Sequence, residues 1–338
     1  MTALNPIGAK KTSQSPLDSL QSLLDEDMKA VNAMIIARMD SPVPMIPQLA
    51  GYLIAAGGKR IRPLMTLAAT ALYNGDMVRS HRLATAVEFI HTATLLHDDV
   101  VDDSEERRGQ KSANVIFGNE ASVLVGDFLF SRAFQLMVED GNLGVLKTLS
   151  DASAIIAQGE VLQLATQGNL STTMDEYLEV IKGKTAALFA AACEVGPLIA
   201  SKDETDAELM FDYGMNLGIA FQIADDILDY SASQEKLGKT VGDDFREGKM
   251  TAPIIIALAA ANDEEREFWK RTMEDKQQDD VDFVRAMSIL RRHNALQKSL
   301  ELARSYAEKA REALSKAPES EYRATLDALA IYTVDREF

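Results

Sequence analysis

The sequence predicts an all-α fold, and three observations carry that prediction. Of 338 residues, 46% are hydrophobic but only 6% aromatic, a balance set by Ala and Leu, the residues that lose least on entering a helix. Apolar positions recur three and four apart over long stretches, whereas alternation with period two is scarce. No change in composition marks a linker, so residues 17–338 read as one large helical domain behind a frayed tail at 1–16.

The elements follow in order. Leu20, Leu23, Leu24, Met28, Val31, Met34 and Ile35 share a face, predicting an amphipathic helix over 17–37. Pro42, Pro44 and Pro47 interrupt the pattern, and a short helix runs to Ala56 before Gly57 and Gly58 reverse the chain. A helix then opens in the segment GGKRIRP and runs through Tyr73. A long apolar helix follows over 82–101. Residues 114–118 read as a connector, and further helices are expected over 121–137, 143–166, 174–200 and 205–230. A polar loop over 231–249 reads as a lid, and helices over 252–261, 264–273, 281–292, 295–315 and 322–336 complete the chain.

The chemistry concentrates where apolar helices end. LLHDDVVDDSEERRG, from Leu95 to Gly109, sets six carboxylates before two arginines. Asp98 and Asp102 are four apart and share a face, with Asp99 beside them. Oxygen-only ligands at this spacing suit Mg²⁺, which takes one or two carboxylates and completes its octahedron with water and phosphate oxygens. The pattern Asp-Asp-x-x-Asp returns at Asp225, Asp226 and Asp229, again closing an apolar run. Two such faces brought together would hold several Mg²⁺ ions around one diphosphate.

Basic groups complement them. The net charge of −17 excludes a nucleic-acid surface, so clusters of Lys and Arg carry meaning. Lys59, Arg60 and Arg62 crowd a glycine turn at a helix start, a ready diphosphate site. Lys184 and Thr185 interrupt an otherwise apolar helix, and His91 lies two turns before Asp98 on nearly the same face. Glu88 and His91 form half of a di-iron Glu-x-x-His signature, but no second pair accompanies it. P-loop, dinucleotide and serine-elbow motifs are absent. Cys193 is the single cysteine, so no disulfide forms within the chain, and a reducing, cytoplasmic setting without a membrane span is expected. Mg²⁺ on carboxylates improves a diphosphate leaving group, and an apolar pocket would shield the resulting allylic cation.

The ordered set GGKRIRP, LLHDDVVD with RRG, KGKTAALF, FQIADDILD and GKTVGDDFREGKMTAP resembles the trans-isoprenyl diphosphate synthases, in particular the long-chain polyprenyl type that makes quinone side chains, over nearly the whole chain. The resemblance implies a helical bundle around a central cavity, usually a homodimer, condensing isopentenyl diphosphate head-to-tail onto an allylic primer such as farnesyl diphosphate, for ubiquinone side-chain synthesis. It implies Mg²⁺, up to three ions with bound diphosphate, on Asp98, Asp102, Asp225 and Asp229, with Asp99 and Asp226 in support. Arg107, Lys184, Thr185, Gln222, Lys239 and Lys249 would meet the allylic diphosphate; Lys59, Arg62, His91 and Arg108 would meet isopentenyl diphosphate. Asp103 and Ala252 depart from the usual Glu and Leu without touching a proposed ligand. Membrane contact would be peripheral, for product release. Small side chains at Ala93 and Thr94 let the product grow past them, and Phe128, Phe130 or Phe134 is expected as a deeper floor. A terpene cyclase would share the first aspartate motif but would leave isopentenyl diphosphate unconsumed.

Overall fold

In the computed structural model, residues 14–55, 57–107, 109–231, 241–279 and 281–335 are described. The chain begins with α1 (Pro16–Leu23), entered through a capping box between Ser15 and Asp18, and α2 (Asp25–Arg38). The sequence pattern reads as one helix there, but the chain bends at Leu24. The two halves dock on different partners while both Leu20 and Leu24 are fully buried.

Next come α3 (Met45–Ala55), α4 (Ile61–Leu72) and α5 (Met77–Val101). Asp76 caps α5 by accepting from the backbone N–H groups of Val78 and Arg79, which starts this helix five residues before the predicted position. A short antiparallel hairpin, β1 (Glu106–Arg107) and β2 (Gln110–Lys111), follows the first aspartate motif. The expected connector is instead a helical turn, α6 (Ala113–Phe117), which leads into α7 (Asn119–Asp140) and α8 (Leu143–Thr166).

The helix expected over 174–200 is α9 (Met174–Ile181), a π-helical turn over Lys182–Ala186, and α10 (Ala187–Ile199). Then come α11 (Glu204–Ser231), a short α12 (Asp243–Glu247) inside the expected loop, α13 (Ala252–Ala259) and α14 (Asp263–Trp269). A second π turn, Lys270–Glu274, α15 (Asp282–Arg292), α16 (Ala295–Leu314) and α17 (Glu321–Val334) complete the architecture.

The all-α expectation holds: helix packs on helix, with α5 along α7, α10 between α4 and α11, and α11 along α16. Leu209, Met210, Tyr213 and Leu217 of α11 belong to one apolar cluster with α4, α5, α7 and α10. Its later residues Ile219, Ile223 and Ile227 belong to a second, with α13 to α16. The α11 backbone thereby ties the two clusters together, and its second aspartate motif lies near one end. Among the described residues, α7 is long and apolar enough to cross a membrane; it packs along α5 as a core helix does.

Candidate active site

The first motif ends α5, and its aspartates part company. Asp98 is mostly buried, and its Oδ2 stands 3.5 Å from Nζ of Lys184. Asp102 caps the helix, with Oδ2 3.3 Å from Nζ of Lys249. Asp99 turns into the protein, where it is 1% exposed and accepts from Arg107 at 2.6 and 2.8 Å. The β-hairpin supplies Arg107 for this pair.

The second motif is equally divided. Asp225 is exposed, whereas Asp226 is buried and held from both sides. The Tyr177 hydroxyl donates to its Oδ2 at 2.5 Å and the Gln222 amide to its Oδ1 at 2.8 Å. Thr185 donates in turn to Oε1 of Gln222 at 2.7 Å, which makes a continuous chain from the π turn to the aspartate. Both Asp229 oxygens accept backbone N–H groups, from Asp243 at 3.2 Å and Asp244 at 3.0 Å. Asp229 therefore anchors α12 through both oxygens.

Two lysines join the motifs. Lys184 and Lys249, which face Asp98 and Asp102, both line one cavity of about 100 Å³ whose wall includes Gln222, Asp226, Tyr177 and Thr185. The ends of α5 and α11 thus approach a shared polar space. Local geometry explains how a lysine gets there. A π turn inserts one residue into the helix and rotates the residues after it, so Lys184 and Thr185 both reach the cavity although their helix is otherwise apolar.

Charge is unbalanced at this site. Burial first, then Asp98, pushes the Glu160 carboxyl up to about 7 despite its 2.7 Å contact with Lys184. Burial likewise raises Asp98, against the pull of Lys184 and with the push of Asp102. Asp226 is pushed up to about 7, again chiefly by burial. Lys249 is raised in spite of burial because Asp244, Asp102 and Glu247 surround it. Oxygen donors in excess of cations suit a hard dication. Among the described residues no three acidic or imidazole groups converge into a preformed cage.

A second polar group lies at the start of α4. Gly57 and Arg60 adopt left-handed backbone conformations, φ +71° and +48°, which form the turn. Arg62 lies 3.2 Å from Nε2 of His91 and stacks over the Phe189 ring at 4.5 Å. Arg60 pairs with Glu88, which gives that carboxylate a use without iron. Lys59 is exposed, with its carbonyl accepting from Gln21 at 3.4 Å. Arg108 and Lys239 lie outside the described residues.

Phe130 stacks on His97 at 6.1 Å and Phe128 lies under Arg132, while Phe134 is 41% exposed in the single chain. Motif spacing does not reveal Glu160 or Tyr177, because each acts across a helix crossing. Gly159 inside a long helix is the available signal of a close approach.

A helical bundle with aspartate motifs near two helix ends, and lysines that pair with the first motif while lining a cavity with Asp226 of the second, has the architecture of an all-helical prenyltransferase. Comparison with known proteins gives the particular family. Residues 43–290 match the family model described as polyprenyl synthetase, and the chain belongs to that family. It is 43% identical over 330 residues to the octaprenyl diphosphate synthase of Haemophilus influenzae, covering 97% of this chain and 100% of the relative. The decaprenyl diphosphate synthase structure from Rhodobacter capsulatus matches with a TM-score of 0.91 and 52% identity, over 95% of this chain and 99% of the other. A Caulobacter crescentus polyprenyl synthase, complexed with calcium and isoprenyl diphosphate, matches with a TM-score of 0.93 and 50% identity, over 96% and 99%. The chain is a long-chain trans-prenyltransferase, with the isoprenoid synthase fold.

Proposed function

We propose that residues 17–338 form one domain that extends an allylic diphosphate such as farnesyl diphosphate with isopentenyl diphosphate, in the presence of Mg²⁺, to an octaprenyl-to-decaprenyl product for ubiquinone side chains. The observation that carries this reading is the pair of lysines: Lys184 and Lys249 face Asp98 and Asp102 of the first motif while lining one cavity with Gln222 and Asp226 of the second. Asp98, Asp102 and Asp225 would hold Mg²⁺, which when bound neutralises the departing diphosphate. Asp229 would help by fixing the loop at α12.

The chain's own groups divide the remaining work. Lys184, Thr185, Gln222 and Lys249 orient the allylic diphosphate, with Arg107 and Lys239 completing that side. Arg62, His91, Lys59 and Arg108 bind isopentenyl diphosphate, with Arg62 already ordered by His91 and Phe189. Ala93 is small and Thr94 bonds back to the His91 carbonyl at 2.7 Å, which supports a path that no aromatic closes at this level.

The active form would be a cytoplasmic homodimer whose membrane contact is peripheral. Leu124, Val138, Leu143, Val161 and Leu164 of α7 and α8 are more than half exposed, which supports a subunit contact on these helices. Incubation with radiolabelled isopentenyl diphosphate, farnesyl diphosphate and Mg²⁺, followed by mass analysis, tests the proposal. Long polyprenyl diphosphates are expected; isopentenyl diphosphate left unconsumed would overturn it.

A further inference from the structure

Glu160 is the nearest acid to Lys184. Its Oε2 stands 2.7 Å from Nζ, against 3.5 Å for Asp98, and the two side chains are 25% and 22% exposed. The contact is built into the backbone. Gly159 of α8 lies so close to the π turn that a Cβ there would stand 2.5 Å from the Lys184 nitrogen and 2.8 Å from the Gly183 carbonyl carbon. A Cβ on Gly183 would stand 3.0 Å from the Gly159 Cα in return. Glycine on both sides lets two helical backbones touch, and the residue after Gly159 then meets the residue after Gly183.

We infer that Glu160 is a positioning residue for the allylic diphosphate: it holds the Lys184 ammonium at the cavity wall independently of Asp98. The inference rests on the proposed function, in which Asp98 takes a metal ion and Lys184 meets the diphosphate. Once a dication sits on Asp98, that carboxylate no longer attracts the ammonium, and a flexible four-carbon stem would swing away. Glu160 keeps it in place. The two possible effects of Glu160 differ in sign. A carboxylate that acted only as a nearby negative charge would weaken diphosphate binding, so its neutralisation would tighten it; a carboxylate that positions Lys184 strengthens binding.

The experiment uses full-length E160Q, E160D, K184M and the double variant E160Q/K184M. The KM values for farnesyl and isopentenyl diphosphates and kcat are measured, together with calorimetric binding of inorganic diphosphate with and without Mg²⁺ and thermal melting. In E160Q, the KM for farnesyl diphosphate rises and inorganic diphosphate affinity falls, each about tenfold, the worth of one charge-assisted hydrogen bond. The KM for isopentenyl diphosphate and the melting temperature stay near wild type. E160D, one methylene shorter, moves the same way. In the K184M background, E160Q adds nothing further. Unchanged or tighter diphosphate binding in E160Q overturns the inference alone, as does a full E160Q effect that persists in K184M, since Glu160 would then act directly on metal. K184M with unchanged affinity for farnesyl diphosphate overturns the proposed site and this inference together.

Discussion

The hydroxyl of Tyr177 donates to Oδ2 of Asp226 at 2.5 Å in a fully buried contact between α9 and α11. Gln222 donates to the other oxygen, so the second aspartate motif is held from within before any substrate arrives. Tyr177→Phe strands one lobe of a buried carboxylate and is expected to cost about 1–3 kcal/mol. Turnover falls roughly 10–100-fold, as for other partners of a metal-site carboxylate. Urea unfolding and steady-state kinetics check both; unaltered kinetics would show that Asp226 keeps its place without the tyrosine.

Adjacent aspartates in the first motif should fail in different ways. Asp98→Asn removes a carboxylate already crowded by Asp102 and burial, so stability holds while kcat drops about 10³-fold, the several kcal/mol that a metal contributes to a leaving group. Asp99→Asn leaves Arg107 without its buried partner and lowers stability by about 3–5 kcal/mol. Chemical denaturation beside product assays separates the two. Equal loss of stability in both variants would contradict this division.

Two glycines make a matched comparison. Gly159→Ala drives a methyl into the backbone of the π turn, costing about 1–3 kcal/mol and displacing Lys184. Gly51, inside α3 with nothing within 4 Å of an added Cβ, accepts alanine and gains about 0.5–1 kcal/mol. Melting temperatures are expected to move in opposite directions, and activity should suffer only for Gly159→Ala.

Away from the site, Arg271 grips Asp282 with two hydrogen bonds, at 2.5 and 2.9 Å, and holds its carboxyl below the usual carboxylate range against the opposing effect of burial. A depressed folded pKa means that the stabilisation is complete above the unfolded value of about 3.9 and is lost as pH falls through the lower folded value. Acid unfolding of Asp282→Asn should thus be less steep below about pH 4 than that of wild type, and the variant should be the less stable of the two at neutral pH. Identical pH profiles for the two proteins would rule the pair out as a contributor.

The apolar face of α7 and α8 gives a hydrodynamic test. On the proposed dimer, wild type is expected to sediment as a dimer and a variant with Val161→Glu, at a side chain 66% exposed in the single chain, as a monomer. A variant that remains dimeric would place the interface elsewhere.

Periodicity and motif spacing alone were enough for the helical class, the order of most elements and the identity of the charged groups, because these depend on neighbours three or four residues away. Metal-assisted loss of a diphosphate was legible for the same reason, since both aspartate motifs and the segment GGKRIRP are local; prenyl transfer came from the resemblance of the whole ordered set to a known family. The bend at Leu24, the turn that became α6 and the π turn at Lys182–Ala186 were not, since each is imposed by packing against partners far along the chain. Nor could spacing separate Asp98 from Asp99, or Asp225 from Asp229. Which carboxylate meets Lys184, which pairs with Arg107 and which anchors α12 depends on residues farther along the chain, brought near only when the structure folds.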